Sequence, residues 1–381
     1  MKSNIDFGRN NFDLLRLILA TAVCLFHIAA LTGLPAFFWI GHYISPHFAV
    51  RAFFVISGLL IYRSYAYTPS LPRYFEKRIR RIYPAYFVAI VLAALGLSAL
   101  TDVPLLQYFG LGFWKYLGAN LLFLNFAAPT LPGVFELNRE TAVNGALWTL
   151  KIEVAFYLFV PILYWLCSRF GAKKVIGTLF ILSSAWRYGF ELLDFLLTPR
   201  AIYLRGESRS IFAELSVQFP AQLTYFCAGV LLFLYFDQLV LHMRSLASIT
   251  LSLFVLDRWV ARGNLDVLWI AGVVFAFGFW RYLGNFSKNG DFSYGVYILH
   301  WPVLQILIAV GALELGAKAF FSISLLVVAI LSVLMWHVVE KRFLTRGSHY
   351  RTGTLNVDPK GAGHELKPLE LPQLAPEKQI P

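Results

Sequence analysis

The sequence predicts an all-α, polytopic integral membrane protein with about ten transmembrane helices plus one re-entrant or interfacial segment. Three observations carry that reading. The 381 residues are 58 % hydrophobic and 14 % charged, with a mean hydropathy of +0.64, against roughly 25 % charged and about 45–50 % apolar residues in a soluble domain. The apolar residues run in stretches long enough to cross a bilayer, about 20 residues at ~1.5 Å each. The net charge of +12 sits in short loops between those stretches, where positive charge sets the orientation of a membrane protein. That distribution excludes a soluble enzyme, a disordered chain and, despite a pI of about 9.6, a nucleic-acid binder.

The spans fall at 12–34, 47–65, 82–101, 147–168, 174–192, 217–236, 241–257, 265–283, 291–312 and 317–339. The first apolar run, Leu14 to Phe38, exceeds a signal-peptide h-region and lacks a clear small-residue cleavage site, so it is expected to stay as the first span. The seventh is the shortest and ends at Asp257 and Arg258. The loop before the third span holds Arg63, Arg73, Lys77, Arg78, Arg80 and Arg81 against Glu76 alone, which places it in the cytoplasm. Lys2 and Arg9, two spans earlier, put the N-terminus on the same side. The fourth span runs into Arg169, Lys173 and Lys174 and so ends inside, whereas the third ends outside. The apolar, aromatic run 111–128 therefore cannot cross fully. Arg281, Lys288, Lys341, Arg342 and Arg346 also fall inside. Residues 1–344 form the membrane domain. Residues 345–381, polar and rich in Gly and Pro, are expected to be a disordered cytoplasmic tail.

Cys24, Cys167 and Cys227 all lie in apolar runs. They read as small buried hydrophobes, with neither disulfide nor metal-site spacing. Ionisable residues inside spans are costly and are the first candidates for function: Asp13, Arg16, His27, Arg51, Glu153, Glu191, His300 and His337. His27 lies about 22 Å into a span that starts inside, and Glu153 roughly 9 Å into one that starts outside. These depths nearly coincide, so the two read as an acid–base pair in which Glu153 orients the imidazole. A core histidine bonded to a backbone carbonyl is the other reading of His27. Arg16, eleven positions before His27, shares its helix face; it either snorkels to headgroups or contacts an anionic donor. Ser57-Gly58 either allows close helix packing or bares backbone to a ligand. Four cations among Lys77 to Arg81 anchor topology or hold a polyphosphate, which arginine binds bidentately. His300 precedes a helix-kinking Pro302. His337 and Glu340 read as a surface couple. H-E-x-x-H, G-x-S-x-G, P-loop and G-x-G-x-x-G motifs are absent.

The ordered set of motifs resembles the membrane acyltransferase-3 family. It comprises Phe12-Asp13-Leu14-Leu15-Arg16 ending in Phe26-His27, then Phe53-Phe54-Val55-Ile56-Ser57-Gly58, and the basic Arg78-Ile79-Arg80-Arg81-Ile82-Tyr83-Pro84. Trp148-Thr149-Leu150-Lys151-Ile152-Glu153 with Phe156-Tyr157-Leu158 follows, and Ser293-Tyr294-Gly295-Val296-Tyr297-Ile298-Leu299-His300 closes the set. The resemblance spans about residues 10–343. It implies a ten-helix enzyme of the cell inner membrane that moves an acyl group, often acetyl from cytoplasmic acetyl-CoA, onto sugar hydroxyls of exopolysaccharides, lipopolysaccharides, Nod factors or antibiotics. Leu14 replaces the usual glycine, Arg51 stands where many members have Asp, and Thr149 replaces Ser.

The resulting reading is an acyl-CoA-dependent O-acyltransferase without a tightly bound cofactor. Its partners would be acyl-CoA, a glycan or lipid-linked sugar acceptor and membrane lipids. His27, Glu153 and Arg16 would be catalytic. Arg78, Arg80, Arg81, Ser57, Gly58 and Tyr83 would bind acyl-CoA, and Arg51, Trp148 and His300 the acceptor. A transporter or flippase of lipid-linked sugars is the alternative.

Overall fold

The computed structural model describes residues 7–198, 210–261, 263–345 and 348. Nearly all of the expected tail lies outside the described residues. Every regular element among them is helical. The principal helices are α1 (Phe12–Thr32), α2 (Pro46–Tyr67), α3 (Leu71–Gly96), α4 (Leu111–Leu121), α5 (Trp148–Phe170), α6 (Ala172–Leu197), α7 (Phe219–Leu234), α8 (Met243–Leu256), α9 (Asp266–Phe279), α10 (Ser293–Ala309) and α11 (Ala317–Met335). Local chemistry sets several ends. Gly33 takes a left-handed φ of 61° and its N–H returns to Ala29 O, stopping α1. The Ser45 side chain accepts from Phe48 N ahead of Pro46, starting α2.

Each expected span coincides with a helix, but the criterion of length and apolarity separates them. Six stretches are long and apolar enough to cross a membrane: Phe12–Thr32, Pro35–Tyr67, Leu71–Ala99, Gly145–Phe170, Ile211–Leu234 and Ala317–Phe343. Asp266–Phe279 and Ser293–Ala309 are apolar but shorter. α6 has the length, yet carries Lys173, Lys174, Arg187, Glu191 and Asp194. α8 spans 14 residues and gives way to a π-helical turn at Asp257–Ala261.

Contacts between helix ends order the bundle. Asn11, buried before α1, accepts from Leu283 N and donates to Phe277 O and Arg281 O, tying the start of α1 to the end of α9. Tyr294 Oη, in the first turn of α10, donates to Ile82 O in the first half of α3. α2 and α7 cross in backbone contact. A Cβ on Gly58 would lie 2.0 Å from Phe226 O, and one on Gly229 would lie 2.0 Å from Val55 O, so larger residues cannot occupy either position.

The 111–128 segment forms an 11-residue helix followed by turns, about 16 Å of helix and too short to span. It runs back along α3. Tyr108 Oη donates to Ala94 O and Tyr86 Oη to Asn120 O, while Phe123 stacks on Tyr86 at 4.3 Å. The contact thus shifts eight residues along α3, roughly 12 Å from its end toward its middle.

Candidate active site

α1 and α10 bring His27 and His300 together. His27 Nδ1 and His300 Nε2 are 2.9 Å apart, and His300 Nδ1 lies 3.0 Å from Val296 O. The rings are nearly parallel, 10° between planes and 5.0 Å between centroids. Trp301 meets the His27 ring at 67° and 4.7 Å. His300 is wholly buried, whereas His27 stays partly exposed; an imidazole that must meet a substrate needs that exposure.

A strap from 138 to 147 roofs this pair. Asn138 Nδ2 donates to the Gln305 backbone and side-chain oxygens, and Gln305 Nε2 donates to Glu140 O and Ala142 O. Trp301 Nε1 also donates to Ala142 O, and Asn144 Nδ2 to Ile298 O. Gly145 is required beneath Trp301, because a Cβ there would lie 2.5 Å from the indole. The strap thus descends α10 from residue 305 to residue 298, about 10 Å, before α5 begins.

That descent overturns the expected contact between Glu153 and His27. The depth argument starts α5 at the membrane surface, but α5 starts alongside Tyr297, whose hydroxyl bonds Thr149 Oγ1 at 2.6 Å. Glu153 lies one turn farther on, some 10 Å from the histidine level. Tyr157 Oη donates to it, and Arg78, Arg81 and Arg16 act on it electrostatically. Tyr74 Oη donates to Tyr157 O at 3.1 Å. The Arg78 guanidinium lies 5.9 Å from the Tyr74 ring and 5.8 Å from that of Tyr157. Its Nε is buried and has no hydrogen-bond partner among the described residues.

The other expected donor contacts divide. Arg81 bonds Asp291 Oδ2 at 2.5 Å and Glu340 Oε2 at 3.1 Å, so its charge is matched by buried carboxylates. Arg80 is exposed, pairs with Glu76 at 2.8 Å and reaches Phe343 O. Tyr83 is exposed and its ring meets Phe87 and Phe123; five residues from Arg78 on a helix, it points elsewhere. Gly58 is taken up by the α2–α7 crossing. Ser57 is half-buried. It lies one turn from Phe53, whose ring meets Tyr297 at 5.9 Å, and so shares the face toward α10. Arg16 pairs with Asp13.

Arg51 leaves the expected acceptor site. It pairs with Asp266, over the Tyr225 ring at 5.3 Å. Arg187 bonds Asp266 Oδ1 at 2.8 Å and Glu191 at 3.0 Å. This buried network joins α2, α6, α7 and α9, on the face of α2 turned away from Phe53. Trp148 opens α5, half-buried against the core. His300 is wholly buried against His27, away from the expected acceptor position. Glu340 is buried on Arg81 while His337 is exposed, so they are no surface couple.

Sequence reasoning missed Arg187, Asp266, Asp291 and the Thr149–Tyr297 bond. Arg187 lies inside the apolar run 174–192, where an intramembrane charge is itself a signal. Asp266 and Asp291 sit at helix starts, where an acid needs no special explanation.

A family profile described as an acyltransferase domain matches residues 9–339. An O-acetyl transferase of Shigella phage Sf6 is 27 % identical over 357 residues, covering 89 % of this chain and 97 % of that protein. Nodulation protein 10 of Rhizobium leguminosarum bv. viciae is 27 % identical over 361 residues, 87 % and 92 % of the two chains. O-acetyltransferase OatA of Staphylococcus aureus is 30 % identical over 185 residues, 41 % of this chain and 28 % of that protein. No solved structure matches. The chain belongs to the membrane acyltransferase-3 family that its motifs resemble.

Proposed function

We propose that this acyltransferase-3 member is an inner-membrane enzyme that carries an acyl group, acetyl in the simplest case, from cytoplasmic acyl-CoA to a sugar hydroxyl of a surface glycan. Two relatives bear O-acetyl transferase names, which supports the acetyl donor and a hydroxyl acceptor. The observation that carries the reading is the partly exposed His27, with the Glu153 level about 10 Å away and next to it the Arg78 guanidinium against Tyr157, its Nε buried and without a hydrogen-bond partner among the described residues. A phosphate group suits that guanidinium as a charge-assisted partner, and a flexible pantetheine arm would span the interval to His27.

In the reaction the acceptor hydroxyl attacks the thioester carbonyl. The C–O bond forms and the C–S bond breaks. His27 takes the hydroxyl proton and passes it to the departing thiolate, so coenzyme A leaves as the thiol. Glu153 and Tyr157 belong to the donor passage, where the carboxylate stands among Arg16, Arg78 and Arg81. The test is the mass of surface glycans from a strain carrying His27→Ala at normal protein level. Loss of one acetyl per repeat is expected; full acylation would overturn the reading.

A further inference from the structure

We infer that His300 is a positioning residue that fixes the tautomer of His27, leaving the lone pair of His27 on Nε2. The inference deepens the proposed function and rests on it. Val296 O is a carbonyl and only accepts, so His300 Nδ1, 3.0 Å away, carries a proton and donates. A neutral His300 then has its lone pair on Nε2. His27 Nδ1 stands 2.9 Å from that atom and must donate to it. Neutral His27 therefore has no proton on Nε2, the nitrogen on the far side of the ring from His300. A partner on one ring nitrogen decides the state of the other.

The surroundings hold this order in place. Trp301 closes one side of the His27 ring, and its own N–H is committed to Ala142 O. Tyr297, whose ring centroid is 6.0 Å from that of His300, is held by Thr149. Neither histidine has an ion pair with a carboxylate among the described residues, so the pair works without the orienting acid that the spacing suggests. When His27 Nε2 takes the acceptor proton, its Nδ1–H still points at His300 Nε2. The bond becomes charge-assisted, and the cation is stabilised as it forms. His300 neither gains nor loses a proton. The reverse tautomer would leave a proton on Nε2 and no base toward the acceptor.

Two measurements test this. The first is the ¹⁵N spectrum of the full-length, histidine-labelled protein in lipid nanodiscs, with His27 identified by the signals lost in His27→Gln. A protonated Nδ1 and unprotonated Nε2 on His27 are expected in the wild type. A protonated Nε2 would overturn the inference, and this result needs no variant at His300. The second is transfer of label from [¹⁴C]acetyl-CoA to endogenous glycan in native membranes. His300→Gln can donate to Val296 O and accept from His27 Nδ1, so it should keep activity to within about tenfold. His300→Phe fills the space but accepts nothing, and should lose on the order of 10²-fold in kcat at unchanged KM for acetyl-CoA. Equal activity of the two variants would overturn the inference. Persistent transfer in His27→Ala would instead overturn the proposed function, so the two failures are distinguishable.

Discussion

Two levels of the bundle, roughly 14–16 Å apart along α1 and α10, are built on opposite principles. Around His27 and His300 the neighbours are Trp301, Tyr297 and Phe26. One chain of hydrogen bonds ends on a backbone carbonyl, and one imidazole stays partly exposed. Toward the basic end, Arg16, Arg78 and Arg81 stand among Asp13, Glu153, Asp291 and Glu340, and most of that charge is matched in pairs. The first level suits proton transfer, because His27 Nε2 has no hydrogen-bond partner among the described residues. The second suits holding an anion, and within it only some arginines are suited. Arg81 is committed to two buried acids, whereas Arg78 rests on aromatic rings with its Nε unsatisfied. Intramembrane charge thus marks a candidate region without saying which of its members could meet substrate.

Substitutions at each level should fail differently. The largest effect is expected for His27→Ala, a loss of about 10²–10⁴-fold in transfer with unchanged abundance in the membrane fraction. A fall in abundance that accounts for the lost activity would dissolve the distinction between levels. Next comes Arg81→Ala. Removing it leaves Asp291 and Glu340 buried without their partner, at a cost of about 3–5 kcal/mol. Thermal-shift measurements should show marked destabilisation, and KM for acetyl-CoA in surviving enzyme should hold. A raised KM at normal stability would return Arg81 to the donor site.

Arg78→Ala should do the reverse. It is expected to raise KM for acetyl-CoA about ten- to a hundredfold with little change in kcat, since a contact made equally in ground and transition states acts on binding. It should lower the melting temperature less than Arg81→Ala, because Glu153 keeps the Tyr157 hydrogen bond and the neighbouring Arg16 and Arg81 charges. The smallest effect belongs to Arg80→Ala. Its partner Glu76 is half exposed, and such pairs contribute about 0–1 kcal/mol. Neither KM nor stability should move by more than about threefold; a larger KM effect would show the exposed arginine reaching the donor.

Much of the bundle was legible because apolar runs leave a signal that needs no partner. The long runs became helices, and the aromatic run at 111–128 folded back along α3. Intramembrane His27, Arg16 and Glu153 stood out for the same reason. What could not be read was pairing. The depth of Glu153 depends on the strap through Asn138, Ala142 and Asn144, a loop without periodicity, whose descent span lengths alone do not reveal. Gly58 needed Gly229, far along the chain, to declare itself a packing residue. Arg51 looked like an acceptor contact until Asp266 and Arg187 supplied its partners. The five-motif resemblance located the family because it depends on order along the chain, which survives ignorance of contacts.

The central claim is that the charged level binds the donor while the histidine level performs the transfer. Equilibrium binding of acetyl-CoA to purified His27→Ala and Arg78→Ala, each checked to be folded by a cooperative melting transition, tests it most directly. The account predicts that inactive His27→Ala binds acetyl-CoA as wild type does, while Arg78→Ala binds about ten- to a hundredfold more weakly. Wild-type affinity in Arg78→Ala, or lost binding in His27→Ala, would contradict it.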